Sequence, residues 1–206
     1  MSGAFRPCGV ITITTDFGHR GPFAGIMKGV ILDRFADATI IDLTHEAFVH
    51  WPAEAGFWLE RSFRYFPTGT VHLAVVDPGV GTDRSVLFVV AEGHAFLAPD
   101  NGLLGGVINA VDATVFKVDK EQIARLALDN VSATFHGRDI LAPIAGEIAS
   151  GSVAAQELGR EAQDFIPTLI DPPEMRGCEL SGIVITSDHF GNLITNIEEK
   201  MLQPFK

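Results

Sequence analysis

Cysteine is scarce: Cys8 and Cys178 are the only two in 206 residues. That excludes a disulfide framework and a metal site built on several thiolates. Long apolar runs are missing too. The opening MSGAFRPCG lacks the apolar stretch of a secretion signal, and no run approaches the roughly 20 apolar residues that a membrane-spanning helix needs. The expectation is a cytoplasmic protein with no membrane partner. Basic residues number 15 against 26 acidic ones, for a formal charge of −11, and Lys and Arg form no cluster. Such a surface repels a phosphate backbone and argues against a nucleic-acid partner. The histidines form neither HxH nor HExxH, so no metal is assigned.

What is present is an ordinary globular composition, 47% apolar, with 21 glycines placed largely in turns after apolar runs. Apolar runs rich in Val, Ile and Thr predict strands at Val10–Thr14, Thr39–Leu43, Thr70–Asp77, Val86–Ala91 and Thr114–Val118. Between them, Pro22–Phe35 and Pro52–Tyr65 carry helical stripes, Phe23, Ile26, Met27, Val30 and Ile31 in the first, Ala55, Trp58, Leu59 and Phe63 in the second. A short helix over Leu103–Asn109 and a clearer one over Arg138–Ser150, ended by Gly151, follow. Strands alternating with helices predict an α/β domain over residues 1–160, a Rossmann-like, mostly parallel sheet with helices on both faces. Residues 161–206 predict a linker, within an aperiodic stretch from Ser152 to Cys178, and the start of a small, incomplete β domain. Its two strands, Gly182–Thr186 and Leu193–Ile197, flank a turn at Asp188–Asn192 and cannot bury a core alone.

Three loops can carry chemistry. Thr14-Thr15-Asp16-Phe17-Gly18 follows the first strand, and ligands of parallel sheets gather beyond strand carboxyl ends. Asp16 there either caps the next turn or accepts hydrogen bonds from a ribose diol; the local sequence leaves both open. Asp77-Pro78-Gly79-Val80-Gly81-Thr82-Asp83-Arg84 lacks the lysine of a phosphate loop and the dinucleotide glycine spacing. Its glycines allow a backbone path that returns Arg84 toward Asp77, as a structural ion pair or as part of a site. Thr134-Phe135-His136-Gly137-Arg138-Asp139 precedes a helix, with His136 either idle or functional.

Taken together, TDFG (Thr15–Gly18), MKGVI (Met27–Ile31), IDLTHE (Ile41–Glu46), GTVHLAVVDPGVGTDR (Gly69–Arg84), APDNGLL (Ala98–Leu104), TFHGRDILAP (Thr134–Pro143) and DHFGNLITNI (Asp188–Ile197) form an ordered signature over nearly the whole chain. It resembles that of the S-adenosylmethionine hydroxide adenosyltransferase family, adenosine-forming S-adenosylmethionine hydrolases related to fluorinating and chlorinating enzymes. The resemblance implies an Asp–Arg–His triad near the reacting carbon, falling here on Asp77, Arg84 and His136. It implies that Asp16 holds the ribose diol, and that Asp188, Phe190 and Asn192 contribute to a nucleoside-binding surface against a neighbouring subunit of a homotrimer. S-adenosyl-L-methionine is then the substrate, with no cofactor. The halogenating relatives carry Tyr and Thr in the region of Asp77–Val80 and Ser at the place of Gly137. This chain has no such hydroxyl pair, and a carboxylate repels halide, so hydrolysis is the expected reaction.

The chain departs from the family pattern at Gly21, where relatives carry an acidic residue facing the methionine end, and at His50 and Trp51, which replace a Gln–Asp step. Relatives also continue for several strands past Ile197. These departures keep a second reading in play, an adenosine or S-adenosylmethionine binding protein with weak catalysis. A chloride-dependent halogenase is the third.

Overall fold

A computed structural model describes residues 5–205. Its contacts divide the chain into two compact units, one ending at Pro167 and one beginning at Thr168. The first unit contains strands β1 (Val10–Thr15), β2 (Thr39–Thr44), β3 (Val71–Val75), β4 (Val86–Ala91), β5 (His94–Pro99), β6 (Ala113–Val118) and β7 (Gly159–Glu161). Its helices are α1 (Phe23–Arg34), α2 (Pro52–Ser62), α3 (Gly105–Ala110), α4 (Lys120–Leu126), α5 (Ala142–Ser150) and α6 (Ala155–Leu158). The strands form one sheet in the order β2-β1-β3-β5-β4-β6-β7.

The fold is α/β with a mixed sheet. Strands β2, β1, β3, β5 and β6 run the same way, and β4 and β7 oppose them. Pleating divides the core. Ile11, Ile13, Val71, Leu73 and Val75 bury themselves with α1 and α5, while Ala74, Val76, Phe96 and Ala98 face the cluster of α2 and α3. At full burial each Val, Leu, Ile or Phe side chain among these contributes about 1.5–3 kcal/mol by removal from water. The α1 stripe is narrower than its sequence suggests. Met27 and Ile31 are fully buried, whereas Phe23 is 47% and Ile26 39% exposed.

Strand β5 is not among the expected strands. It returns from β4 through a two-residue turn, Glu92-Gly93, with φ of 49° and 78°. Two left-handed residues match the twist of a tight hairpin, but Glu at the first of them gives no Asn-Gly or Asp-Gly signal in the sequence. The stretch read as an aperiodic linker likewise contributes α6 and β7, the latter paired with β6 through Gly159–Glu161. Three residues are too few for any period to show. Arg138–Ser150 opens with a π-helical turn, Gly137–Leu141, before α5, and Gly151 ends it in the left-handed region at φ 79°.

The second unit contains two antiparallel pairs, β8 (Glu174–Arg176) with β9 (Glu179–Ser181), and β10 (Val184–Ser187) with β11 (Leu193–Thr195). A 3₁₀ segment, Glu199–Phe205, follows. Among the described residues no helix is long and apolar enough to cross a membrane.

Two features of the sheet place the site. Thr15 of β1 stands opposite Val75 of β3 in parallel register, so the loops leaving both strands emerge side by side. The chain passes from β1 to β2 on one flank and resumes at β3 on the other. That reversal opens the crevice where α/β sheets hold ligands.

The opposite end of β3 carries His72, fully buried, with Nδ1 2.7 Å from Thr12 Oγ1 and Nε2 3.2 Å from His94 Nδ1. Burial, aided by repulsion from His94, pushes its pKa down to about 3. An unfolded chain protonates this ring near 6.5, so stability is complete above that value and declines as pH falls toward 3. We expect a loss of about 2 kcal/mol between pH 6.5 and 5, read by urea unfolding. His72→Gln should be less stable than the parent at pH 7.5 yet lose less on acidification.

Candidate active site

The loop after β3 folds back on itself. Val80 N–H donates to the Asp77 carbonyl at 3.2 Å, and Thr82 donates to the Gly79 carbonyl through both N–H and Oγ1, at 3.2 and 2.7 Å. Gly81 adopts φ +82°, and a Cβ there would overlap the carbonyl oxygen of Ala133. Glycine is therefore required twice, for its conformation and for the close approach of the loop that carries His136. Asn101, from APDNGLL, donates from Nδ2 to the Val76 carbonyl at 2.8 Å and braces the strand end.

This path brings Arg84 onto Asp77. Nε donates to Oδ1 at 2.6 Å and Nη2 to Oδ2, with the two side chains 9% and 5% exposed. A planar guanidinium against a carboxylate in this forked manner fixes both groups in orientation as well as charge. The same Nη2 lies 3.3 Å from His136 Nδ1. Arginine only donates, so Nδ1 accepts, and the neutral ring carries its proton on Nε2. Burial lowers the pKa of His136, Arg84 lowers it further, and Asp77 and Asp139 oppose incompletely.

The turn that presents His136 is tied from beneath. Asp139 is fully buried, accepting from Arg138 Nε at 2.5 Å and from Ser132 N–H at 2.8 Å, while its carbonyl accepts Leu128 N–H at 2.8 Å. Of the two acidic and basic neighbours of His136, Asp139 and Arg138, one is thus the anchor and the other its partner.

Asp16 enters the same place from β1. Asp16, Asp77 and His136, with Phe17, His50 and Gly137 among others, line one cavity of about 260 Å³. One Asp16 oxygen, Oδ2, accepts the backbone N–H of His50 at 3.0 Å. His50 sits at φ 61°, unusual for a residue with a side chain. Its place in the cavity wall follows from that bend, which no local sequence signal marks. Trp51 stacks on Phe48 at 5.9 Å, and a Cβ at Gly21 would lie 2.8 Å from the Phe23 ring. A second cavity, about 630 Å³, shares Phe17, Thr134 and Phe135 with the first and adds Phe23, Ser132 and Arg138.

Asp188, Phe190 and Asn192 belong to the second unit, in the turn between β10 and β11. Asp188 Oδ1 accepts the N–H groups of Phe190 and Asn192 at 2.9 and 2.8 Å, and Oδ2 accepts Asn192 Nδ2 at 2.7 Å. The Asn192 side chain, followed by these backbone donors, holds the Asp188 carboxyl below its ordinary pKa. Phe190 projects from this turn, 87% exposed.

Residues 11–159 match the model of the SAM hydroxide adenosyltransferase N-terminal domain. The chain belongs to the SAM hydroxide adenosyltransferase family. It is 35% identical over 196 residues to the (R)-S-adenosyl-L-methionine hydrolase of Methanocaldococcus jannaschii, covering 92% of this chain and 67% of that protein. To the (R)-S-adenosyl-L-methionine hydrolase of Salinispora tropica it is 34% identical over 201 residues, 94% of this chain and 74% of the relative. The crystal structure of an uncharacterized conserved protein from Thermotoga maritima superposes with a TM-score of 0.86 at 33% identity, over 94% of this chain and 73% of that one.

Gly81→Ala tests the loop architecture. The added methyl should force the Asp77–Arg84 loop away from Ala133 and destabilise the fold by roughly 1–3 kcal/mol in denaturant unfolding. Withdrawal of Arg84 should also raise the His136 pKa toward 6.5, as followed by NMR titration of the ring. An unchanged ring titration would show that the close approach does not set the Arg84–His136 contact.

Proposed function

We propose that the chain hydrolyses S-adenosyl-L-methionine to adenosine and L-methionine. Family membership and the relatives' activity support this reading, and one observation carries it: Asp77 and His136 meet in the cavity that Asp16 enters from the neighbouring strand end. Water supplies the oxygen that bonds to C5′. The C5′–S bond breaks with its electron pair passing to sulfur, methionine departs as a neutral thioether, and the proton lost by water passes to solvent. Because the leaving group is neutral, no acid is required behind it, and neither a metal nor a redox cofactor enters the balance. What remains is to hold substrate and water in line.

Asp77, Arg84 and His136 are the groups we assign to the water. The Arg84 fork leaves each Asp77 oxygen a further lone pair, so the carboxylate can accept from water while His136 Nε2–H donates to it. This hydrogen-bond pattern orients water and draws charge toward its oxygen as the new bond forms. Asp16, with Oδ2 occupied by His50, offers Oδ1 to the ribose diol. Asp188, Phe190 and Asn192 are assigned to the nucleoside across a subunit boundary of a homotrimer, with Asp188 shaping the turn and Phe190 offering an exposed ring for stacking. Exposed Phe23, Ile26 and Leu32 on α1 provide apolar surface for such an assembly. Free Cys8 and Cys178 fit a reducing, cytoplasmic setting.

Asp77→Asn and His136→Ala should each lower single-turnover adenosine release by roughly 10²–10⁴-fold, with calorimetric adenosine binding affected far less. Both epimers at sulfur should be assayed, since the relatives are named for the R form. His136 must be neutral to accept from Arg84, so kcat/KM should be level above pH 6.5 and fall as pH drops through its lowered pKa. Stoichiometric substrate binding with no adenosine released would favour the binding-protein reading. For the assembly, light scattering should give three times the chain mass; a fully active monomer would remove the shared site.

A further inference from the structure

His45 stands outside the cavity wall, yet it touches both ends of the segment that presents Asp16. The side chain is buried, with the residue 1% exposed. Nδ1 lies 2.8 Å from Thr15 Oγ1, and the His45 carbonyl accepts Gly18 N–H at 2.7 Å. Thr15 Oγ1 in turn accepts Phe17 N–H at 3.2 Å, closing a side-chain turn around Asp16. The Asp42 carboxylate that faces Nε2 can only accept, so the proton of the neutral ring sits on Nε2, Nδ1 accepts, and the Thr15 hydroxyl donates to it while its oxygen accepts from Phe17. Nε2 is 3.0 Å from Asp42 Oδ1, bent away from a straight hydrogen bond, and Lys28 Nζ holds Asp42 Oδ2 at 2.6 Å. The polar chain therefore has one direction, Phe17 to Thr15 to His45 to Asp42, with Lys28 holding the last acceptor.

A buried histidine that only satisfies its own polar atoms needs partners anywhere within reach. Here the two contacts to the loop bracket one residue. Thr15 precedes Asp16, Gly18 follows it by two, and Gly18 adopts φ +66°. We propose that His45 is the positioning residue for Asp16, holding the 15–18 turn so that the carboxylate keeps its place in the cavity while its ring is oriented by Asp42 and Lys28. This rests on the assignment of Asp16 to the ribose diol.

The test is a double-mutant cycle on adenosine binding by calorimetry, with KM and kcat for S-adenosylmethionine beside it. His45→Leu should weaken adenosine binding about five- to tenfold, the range for one lost or misdirected hydrogen bond to the ligand. It should raise KM more than it lowers kcat. His45→Asn keeps an acceptor toward Thr15 and should stay within about twofold of the parent. In an Asp16→Ala background, His45→Leu should add less than about twofold, because its effect is spent through Asp16. Thr15→Val, near isosteric, should reproduce the His45→Leu pattern and carries the cycle if that variant does not fold. If His45→Leu and Thr15→Val weaken binding equally with and without Asp16, or leave it unchanged while Asp16→Ala weakens it, His45 has no positioning role. If Asp16→Ala binds adenosine like the parent, the ribose assignment falls and this proposal with it.

Discussion

Thr15 of β1 and Val75 of β3 are neighbours in a parallel pair. Everything at the candidate site hangs on that register. Each strand ends there, so Asp16, one residue on, and Asp77, two residues on, leave the sheet at the same end. A slip of one residue would turn the pleat over, sending Ile11 and Ile13 out of the α1–α5 core along with the loops. The hydrophobic pattern that stabilises the sheet thereby also sets the separation of the two carboxylates.

On this platform the polar groups are arranged in tiers. The Arg84–Asp77 fork is nearly closed to solvent, and Arg84 reaches onward to the acceptor nitrogen of His136. Asp139 holds the His136 turn and Asn101 the end of β3. A guanidinium placed between a carboxylate and an imidazole fixes the tautomer, directing the ring's proton to Nε2, and it adds to the larger effect of burial in lowering the ring's pKa. The cost of burying an unpaired charge is avoided because the fork satisfies both partners. The loop glycines permit this closeness, most of all Gly81 against Ala133.

The two ends of the sheet make different use of histidine. At the ligand end, His45 and His136 each have one nitrogen committed as an acceptor, to Thr15 and Arg84, and are thereby oriented. At the far end, His72 and His94 lie among Phe63, Phe66 and Phe96, with His72 stacked on Phe96 and the Phe63–His94 and Phe66–His72 pairs edge-on. There burial overrides basicity, and the rings act as core.

The alternation of Val- and Ile-rich runs with helical stripes was enough to determine an α/β sheet, because that reading depends only on period. Local sequence left Asp16, Asp77, Arg84 and His136 open between structural and functional roles, and it was the family resemblance of the TDFG, DPGVG…R and FHGRD motifs that singled them out. Tertiary structure decided the rest. Strand β5 hides behind Glu92-Gly93, β7 is three residues long, and the left-handed bend that puts His50 in the cavity wall has no local mark. His45 is the clearest case. Within IDLTHE it is one histidine among seven; only the parallel β2–β1 pairing brings it against Thr15, 30 residues earlier. Hydrogen bonds between residues so distant in the chain are set by sheet order, and sheet order is a property of the packed core, not of any segment in it.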